Sequence, residues 1–352
     1  MHQEETNDAI ALLQQLIAIS SFSKEEKAAA DFLERYIEVK GYVAMRKDNN
    51  IWLFSSGFDS SRPTILLNSH IDTVKPVSEW KHDPFLPTIE SRKLYGLGSN
   101  DAGASVVSLL HAFFYLTKQQ QSYNLIFAAS AEEEISGKNG LESLLQELPK
   151  IDFAIVGEPT NMQLAVAEKG LMVIDCTVHG QAGHAARNEG DNAIYKTIPD
   201  IEWFRTFEFA KKSDLLGAVK MSVTQINAGT QHNVVPDLCS FVVDVRSNEM
   251  YSNEEILAEI NIHVACDIEA RSTRLSSTAT PLNHPIINRG RELNCTMFGS
   301  PTLSDQSLMP FPSLKMGPGD SARSHTADEY ILLEEIEEAI EIYIQLLDGL
   351  KF

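Results

Sequence analysis

A chain of 352 residues, 43% of them hydrophobic and 22% charged, is long enough to bury two moderate cores, and two domains are expected. Its 29 basic residues against 49 acidic ones leave a formal charge of −20, which argues against a nucleic-acid surface and for a self-repelling, soluble exterior. No apolar stretch reaches membrane-spanning length, and the leading Met1-His-Gln-Glu-Glu is acidic where a secretory signal would be basic, so no membrane contact and a cytoplasmic location are expected. Cys176, Cys239, Cys266 and Cys295 are dispersed, without C-x-x-C spacing, and read as reduced core thiols.

Helical periodicity covers residues 7–19 and 23–40. Ser23 and Glu26 stand in capping-box spacing at the start of the second helix, and Gly41 stops it. Residues 42–54 read as a hairpin turning at Asp48-Asn49-Asn50. Beyond a loop at 57–62, the run Ile65-Leu66-Leu67 predicts a core strand of a parallel or mixed sheet, whose ligand sites lie past the strands' carboxyl ends. His70 falls there. Residues two apart in extended chain share a side, so Asp72 can accept a hydrogen bond from one His70 nitrogen while the other binds a metal. A lone histidine would read as a satisfied core residue, but an H-x-D pair at a strand end is better evidence of a metal site.

Residues 80–94 read as irregular. The glycine-rich turn Tyr95-Gly-Leu-Gly-Ser-Asn-Asp-Ala-Gly103 leads into an apolar helix at 104–116 and invites a dinucleotide reading. Asp101 weakens it, because a carboxylate in place of the third glycine repels a pyrophosphate; taken alone, Asp101 is a helix cap. A buried strand at 125–129 ends in Glu132-Glu133-Glu134, followed by Gly137 and a helix near 141–148. A third apolar strand, 151–156, ends in Gly157-Glu158-Pro159. Three consecutive glutamates usually form a solvated turn, yet here three strands terminate in imidazole or carboxylate groups along one sheet edge.

From about 171 to 278 the order is strand 171–179, helix 192–211, strands 219–226 and 238–246, helix 253–264 and strand 267–275. This β-α-β-β-α-β series predicts an inserted ferredoxin-like domain, with Ile194, Ile198, Ile201 and Phe204 lining one face of its first helix. The chain then returns through a helix near 285–295, a short strand at Leu314, the loop from Gly317 to Glu329 that carries His325, and a last amphipathic helix with Leu333, Ile336, Ile340, Ile344 and Leu347.

His70, Asp101, Glu134, Glu158 and His325 together supply two imidazoles and three carboxylates, a set suited to two divalent ions bridged by one carboxylate, with zinc the expected occupant. Two ions of charge +2 against three carboxylates leave a residual positive charge that suits a developing oxyanion. Glu133, adjacent to a ligand but not needed as one, is placed to act as general base toward the attacking water.

These residues resemble a known family, the M20 metallopeptidases, and within it the acetylornithine deacetylase and succinyl-diaminopimelate desuccinylase group. The likeness runs from about Ile65 to Glu329. His70-Ile-Asp-Thr-Val resembles the H-x-D-T-V block, Gly98-Ser-Asn-Asp101 the G-x-x-D block, Glu132-Glu133-Glu134 the acidic pair, Gly157-Glu158-Pro the G-E-P block, and His325-Thr-Ala-Asp-Glu the closing block. The resemblance implies an α/β fold: a mixed-sheet, zinc-exopeptidase-like catalytic domain at 1–169 and 279–352, interrupted by a ferredoxin-like lid and dimerisation domain at 170–278. It implies two Zn²⁺, with Co²⁺ as a substitute, Asp101 bridging them, His70 and Glu158 completing one, Glu134 and His325 the other, Glu133 as base and Asp72 supporting His70.

In the inserted domain, Gly183-His184-Ala-Ala resembles a G-H-x-A motif whose histidine reaches a partner subunit's site and stabilises the tetrahedral oxyanion. Asn233 and Arg246 resemble substrate-holding positions, the arginine gripping a carboxylate; from the residues alone, Arg246 equally suits a surface ion pair. The implied activity removes an acetyl or succinyl group from a small-molecule N-acyl amino acid, of the N-acetylornithine or N-acyl-citrulline type of arginine biosynthesis, in a homodimer. Alternatives are a dipeptidase or carboxypeptidase, and a catalytically inactive metal-binding sensor or assembly protein. The chain departs from the family pattern at Asp101-Ala-Gly-Ala104 in place of D-M-K-G, at Leu97 in place of a frequent arginine, and at Asn188 in place of a proline.

Overall fold

The strand that carries His70 is one of four neighbouring parallel strands whose carboxyl ends share an edge, and the rest of the first unit covers their two faces. The computed structural model describes residues 3–187 and 189–351, so the Asn188 departure lies outside the described residues. Two units are distinguished by their internal contacts. One comprises residues up to 166 together with 280–298 and those from 304 onward; the other comprises 167–279 with 299–303.

In chain order the first unit contributes α1 (Gln3–Ile17), α2 (Lys27–Val39), β1 (Met45–Lys47), β2 (Asn50–Phe54), β3 (Thr64–His70), α3 (Ala104–Leu116), β4 (Asn124–Ser130) and β5 (Phe153–Val156), and the chain leaves it along β6 (Leu164–Glu168). The second unit contributes β7 (Met172–His179), α4 (Ala193–Thr206), β8 (Lys220–Ala228), β9 (Leu238–Arg246), α5 (Asn253–His263) and β10 (Asp267–Ala270). The return brings α6 (Pro285–Glu292), β11 (Ser313–Lys315) and α7 (Leu333–Leu347).

The strand order β1-β2-β4-β3-β5-β11-β6 is mixed. β4, β3, β5 and β11 run parallel, with His70 opposite Ser130 and Asn68 opposite Val156, while β2 and β6 are antiparallel to their neighbours. Every residue of β3 and β4 is buried, as expected of strands covered on both faces. One cover is α3, buried almost all round, with α1 and α7 beside it. On the other face Leu66, Ile126 and Ala154 pack with Leu141, Leu144 and Met309.

The second unit is an antiparallel sheet in the order β8-β9-β7-β10, with α4 and α5 supplying its core residues Phe204, Ile256 and Ile260 against Ile174, Phe241 and Val243. Taken as the βαββαβ series β7-α4-β8-β9-α5-β10, this is the ferredoxin-like order. All four cysteines are buried and free.

Several expectations need correction. Ser23 and Glu26 do not form a capping box: Glu26 is the N-cap of α2 and makes no side-chain cap bond. The helix expected at 141–148 is the single turn Leu141–Leu144. Residues 80–94 contain the strands Thr88–Glu90 and Lys93–Tyr95, which form a small sheet with Tyr330–Leu332. On α4 the buried residues are Ala193, Thr197, Asp200 and Phe204, so Ile194 and Ile198 face outward, the latter 57% exposed. The i, i+4 spacing of small and aromatic residues wins the core side because Asp200 accepts the N–H groups of Ala265 and Cys266 there.

Candidate metal centre

β3, β4 and β5, with the turn Ser99–Gly103 before α3 and the loop after β11, deliver the polar groups to one edge, where open α/β sheets bind their ligands. His70 ends β3 and is 1% exposed. Its Nδ1–H donates to the main-chain carbonyl of Asp72 at 2.9 Å, which leaves Nε2 facing Asp101 Oδ1 at 3.2 Å, and Glu133 Oε2 and Glu158 Oε1 each at 3.9 Å. The other oxygen of Asp101, Oδ2, lies 3.6 Å from His325 Nε2, which in turn meets the Glu134 carboxylate at 3.0 and 3.2 Å. One carboxylate thus turns an oxygen to each imidazole. Candidate ligand atoms of His70, Asp101 and Glu158 lie within 4.8 Å of one another, and so do those of Asp101, Glu134 and His325.

Gly157 explains how Glu158 gets there: a Cβ at Gly157 would stand 2.7 Å from Leu109 Cδ1 and 2.8 Å from Ser105 Cβ, so only glycine lets β5 end flush against α3. His325 has a left-handed backbone, φ 60°, and its side chain is half exposed. The Asp101–Ala102 peptide is cis.

These groups fit a pair of cations. Glu158 Oε1 is buried without a hydrogen-bond partner, an arrangement that is costly unless a positive charge faces it. In the absence of metal, protons take that place. Burial opposes a charge on His70, yet Glu133, Asp101, Asp72 and Glu158 around it raise its pKa well above the usual imidazole range. Burial pushes Glu158 up to about 8 and Glu133 well above the usual carboxylate range, the latter helped by Glu158, Asp305 and Glu134. The Glu134 carboxylate pushes His325 up to about 9.

Asp72 stands against the His70 ring, and its carboxylate has partners beyond it. Its carboxylate oxygen stands 3.4 Å from His70 Nδ1, while the ring's hydrogen bond goes to the main-chain carbonyl. The carboxylate also accepts the backbone N–H groups of Glu133 at 3.0 Å and Glu134 at 3.1 Å. Although burial raises an aspartate, the His70 ring beside it and the hydrogen bond from the Ser23 hydroxyl hold Asp72 below its ordinary value.

Two carboxylates that sequence reasoning gives no role also support the site. Glu329, 2% exposed, accepts the N–H groups of Gly98, Asn100 and Asp101 at 3.1, 2.8 and 2.9 Å, and burial pushes it up to about 8. Its membership of the His325-Thr-Ala-Asp-Glu329 block is the one signal pointing to it. Asp305 accepts Ser130 Oγ at 2.6 Å and Asn68 Nδ2 at 2.9 Å, and burial pushes it up to about 6. Nothing local in Leu303-Ser-Asp305 marks it.

The remaining expected residues belong to the second unit. His184 sits on the short strand Gly183–His184, paired with Val234–Val235, and its Nδ1 accepts the Ala186 N–H at 3.1 Å. The Asn233 carbonyl accepts the Ala185 N–H at 3.0 Å, so these two segments are neighbours. Arg246 ends β9 and pairs with Asp244 through Nε at 2.8 Å and Nη2 at 3.1 Å.

With this geometry in hand, comparison with known proteins settles the family. The model for peptidase family M20/M25/M40 matches residues 66–349. The chain belongs to the M20 family. It is therefore a hydrolase acting on amide bonds, in a family that depends on metal. An M20 relative, the succinyl-diaminopimelate desuccinylase of Corynebacterium glutamicum, is 29% identical over 97% of this chain and 96% of its own length. Among solved M20-like folds, aminopeptidase PepT from Bacillus cereus superposes with a TM-score of 0.79 at 17% identity, covering 97% of this chain and 98% of its own. The Bacillus subtilis YXEP protein, described as a dinuclear metal-binding peptidase of the M20 family, gives 0.74 at 15% identity, covering 98% of each chain.

The shifted groups make stability depend on pH in a defined direction. Glu158 and Glu329, raised from 4.5, and His70 and His325, raised from 6.5, each bind a proton more tightly folded than unfolded. Their contribution is complete below the unfolded values; that of Glu158, Glu329 and His325 is lost as pH rises through about 8 to 9, and that of His70 above the usual imidazole range. Asp72 and Asp101, held low, act in the opposite sense only below 3.8. Chelator-treated protein is expected to melt at a lower temperature at alkaline than at mildly acidic pH, and Glu329→Gln to flatten part of that slope. A melting temperature independent of pH across this interval would contradict the assignment.

Proposed function

We propose that this M20 hydrolase removes a succinyl group from the amine nitrogen of an amino acid, with N-succinyl-diaminopimelate as the leading substrate and acetylated amino acids as poorer ones. The relative that is 29% identical over nearly the full chain supports the choice of acyl group. The observation that carries the hydrolytic reading is the single Asp101 carboxylate turned to His70 by one oxygen and to His325 by the other, with the Glu133 carboxyl also facing His70. His70, Glu158 and Asp101 would hold one zinc ion, and Asp101, Glu134 and His325 a second; Co²⁺ is the expected substitute. When bound, such a pair polarises the amide carbonyl and acidifies water.

Glu133 supplies the proton traffic. Its carboxyl stands 3.9 Å from His70 Nε2, at the edge of the ligand cluster, where it accepts the proton of the attacking water and passes it to the departing nitrogen. The C–N bond breaks as the new C–O bond is kept, and the products are succinate and the free amine. Resemblance supports His184 as donor to the oxyanion, Asn233 and Arg246 as substrate-holding residues and Arg246 as the grip on the substrate's carboxylate; Arg246 Nη1 has donors beyond those that pair with Asp244. The enzyme's place in the cell is proposed as the cytoplasm; among the described residues no helix is long and apolar enough to cross a membrane.

The oligomer we propose is a dimer of this chain through the second unit. β8 is the edge strand of its sheet and exposes Ile226 at 52%, while α4 turns Tyr195 and Ile198 to solvent at 71% and 57%. An unpaired edge beside exposed apolar side chains is a surface that a second copy covers.

Assayed with zinc, N-succinyl-diaminopimelate is expected to give a higher kcat/KM than N-acetylornithine, N-acetylcitrulline or dipeptides. Glu133→Gln should keep its bound metal and lose about a hundredfold or more in kcat; dipeptide cleavage without deacylation, or an active Glu133→Gln enzyme, counts against the proposal. Mixing inactive His184→Ala with inactive Glu133→Gln should regain part of the activity if His184 serves the neighbouring subunit's site. Absence of recovery in a mixture shown to exchange subunits would place His184 in its own chain's site.

A further inference from the structure

The triple-glutamate turn poses a backbone problem as well as a charge problem. Glu132 and Ser136 adopt left-handed conformations, φ 55° and 48°, and the turn Glu133–Ile135 begins with three successive N–H groups that no local carbonyl takes. Their acceptors are two carboxylates from elsewhere in the chain. The Glu132 N–H donates to Glu26 Oε1 at 3.1 Å, and those of Glu133 and Glu134 donate to the two oxygens of Asp72. Glu26 and Asp72 are both fully buried.

Each clamp is itself held by the segment that precedes α2. Ser23 Oγ donates to Asp72 Oδ2 at 2.7 Å, and Thr73 N donates to Ser21 O at 2.9 Å, which fastens the segment next to Asp72. Glu26 Oε1 also accepts the Lys24 N–H at 2.6 Å, while Oε2 accepts Asn49 Nδ2 at 2.8 Å. Ser23 and Glu26 are free to do this because neither caps its own helix by a side-chain bond. Charge-assisted bonds of this kind are short and strong, and they offset the burial of carboxylates beside an acidic turn.

We propose that Ser23 and Glu26 are positioning residues for hydrolysis: with Asp72 they fix the backbone of Glu132 to Glu134, and through it the aim of the Glu133 carboxyl toward the reacting water. This rests on the hydrolytic reading given above. Neither residue touches substrate. Releasing Asp72 from Ser23 loosens the Glu133 and Glu134 amides, and a displacement of well under an ångström at the base slows proton transfer while leaving substrate binding intact.

The test compares Ser23→Ala, Ser23→Thr and Glu26→Gln with the native enzyme in three measurements: kcat and KM on the succinylated substrate, melting temperature, and backbone hydrogen exchange at Glu132, Glu133 and Glu134. Ser23→Ala is expected to lower kcat about tenfold with KM within about twofold. It should speed exchange at Glu133 and Glu134, and Ser23→Thr, which keeps the hydroxyl, should restore both. Glu26→Gln should speed exchange at Glu132. Unchanged exchange overturns the proposal, as does a kcat loss that Ser23→Thr fails to restore or that merely follows the melting temperature. If the native enzyme turns over no acyl amino acid, the hydrolytic reading fails on its own, and exchange at the acidic turn still decides whether the clamp exists.

Discussion

Four carboxylates and two imidazoles crowd into a space of a few ångströms at the end of a parallel sheet, and this crowding governs the first unit. In water such a cluster would separate; here β3, β4, β5 and the loop after β11 hold most of it together because their carboxyl ends are aligned by the hydrogen-bond ladder, and Glu329 holds the turn that carries Asp101. The repulsion must be relieved somewhere. Without cations it is met by protons on Glu158, Glu133 and the two histidines, and Glu158 still keeps one oxygen without a partner. Divalent ions remove the conflict at its source, since they attract every oxygen that the others repel.

Around this cluster stands a second ring of carboxylates that bind backbone instead of metal. Asp72 takes the amides of Glu133 and Glu134, Glu329 those of Gly98, Asn100 and Asp101, and Asp305 joins Ser130 to Asn68 beneath the sheet edge. Each turns a loop that would otherwise carry orphan donors into a fixed support, which is how residues on loops keep positions good to a fraction of an ångström. The chain's excess of acid over base is thus partly architectural.

Much of this is legible in the sequence, for a physical reason. Apolar runs such as Ile65-Leu66-Leu67 that end in a polar residue have few explanations, so the order of residues by itself marks His70, Glu134 and Glu158 as belonging to a sheet edge. The βαββαβ order is equally readable from alternating strand and helix patterns. Long-range hydrogen bonds are not. Ser23 and Glu26 have the spacing of a capping box, and only the fold shows that their partners lie about fifty and a hundred residues away. Likewise α4 offers two apolar faces, and periodicity alone does not tell that Ala193, Thr197 and Phe204 turn inward while Ile198 faces out.

The central proposal is that Asp101 would be shared between two divalent cations, one held with His70 and Glu158 and the other with Glu134 and His325. Anomalous diffraction at the zinc edge from crystals grown with zinc tests it directly. The account predicts two ions about 3.5 to 4 Å apart with one Asp101 oxygen on each. A single ion at full occupancy, or a pair in which Asp101 touches only one, would contradict it.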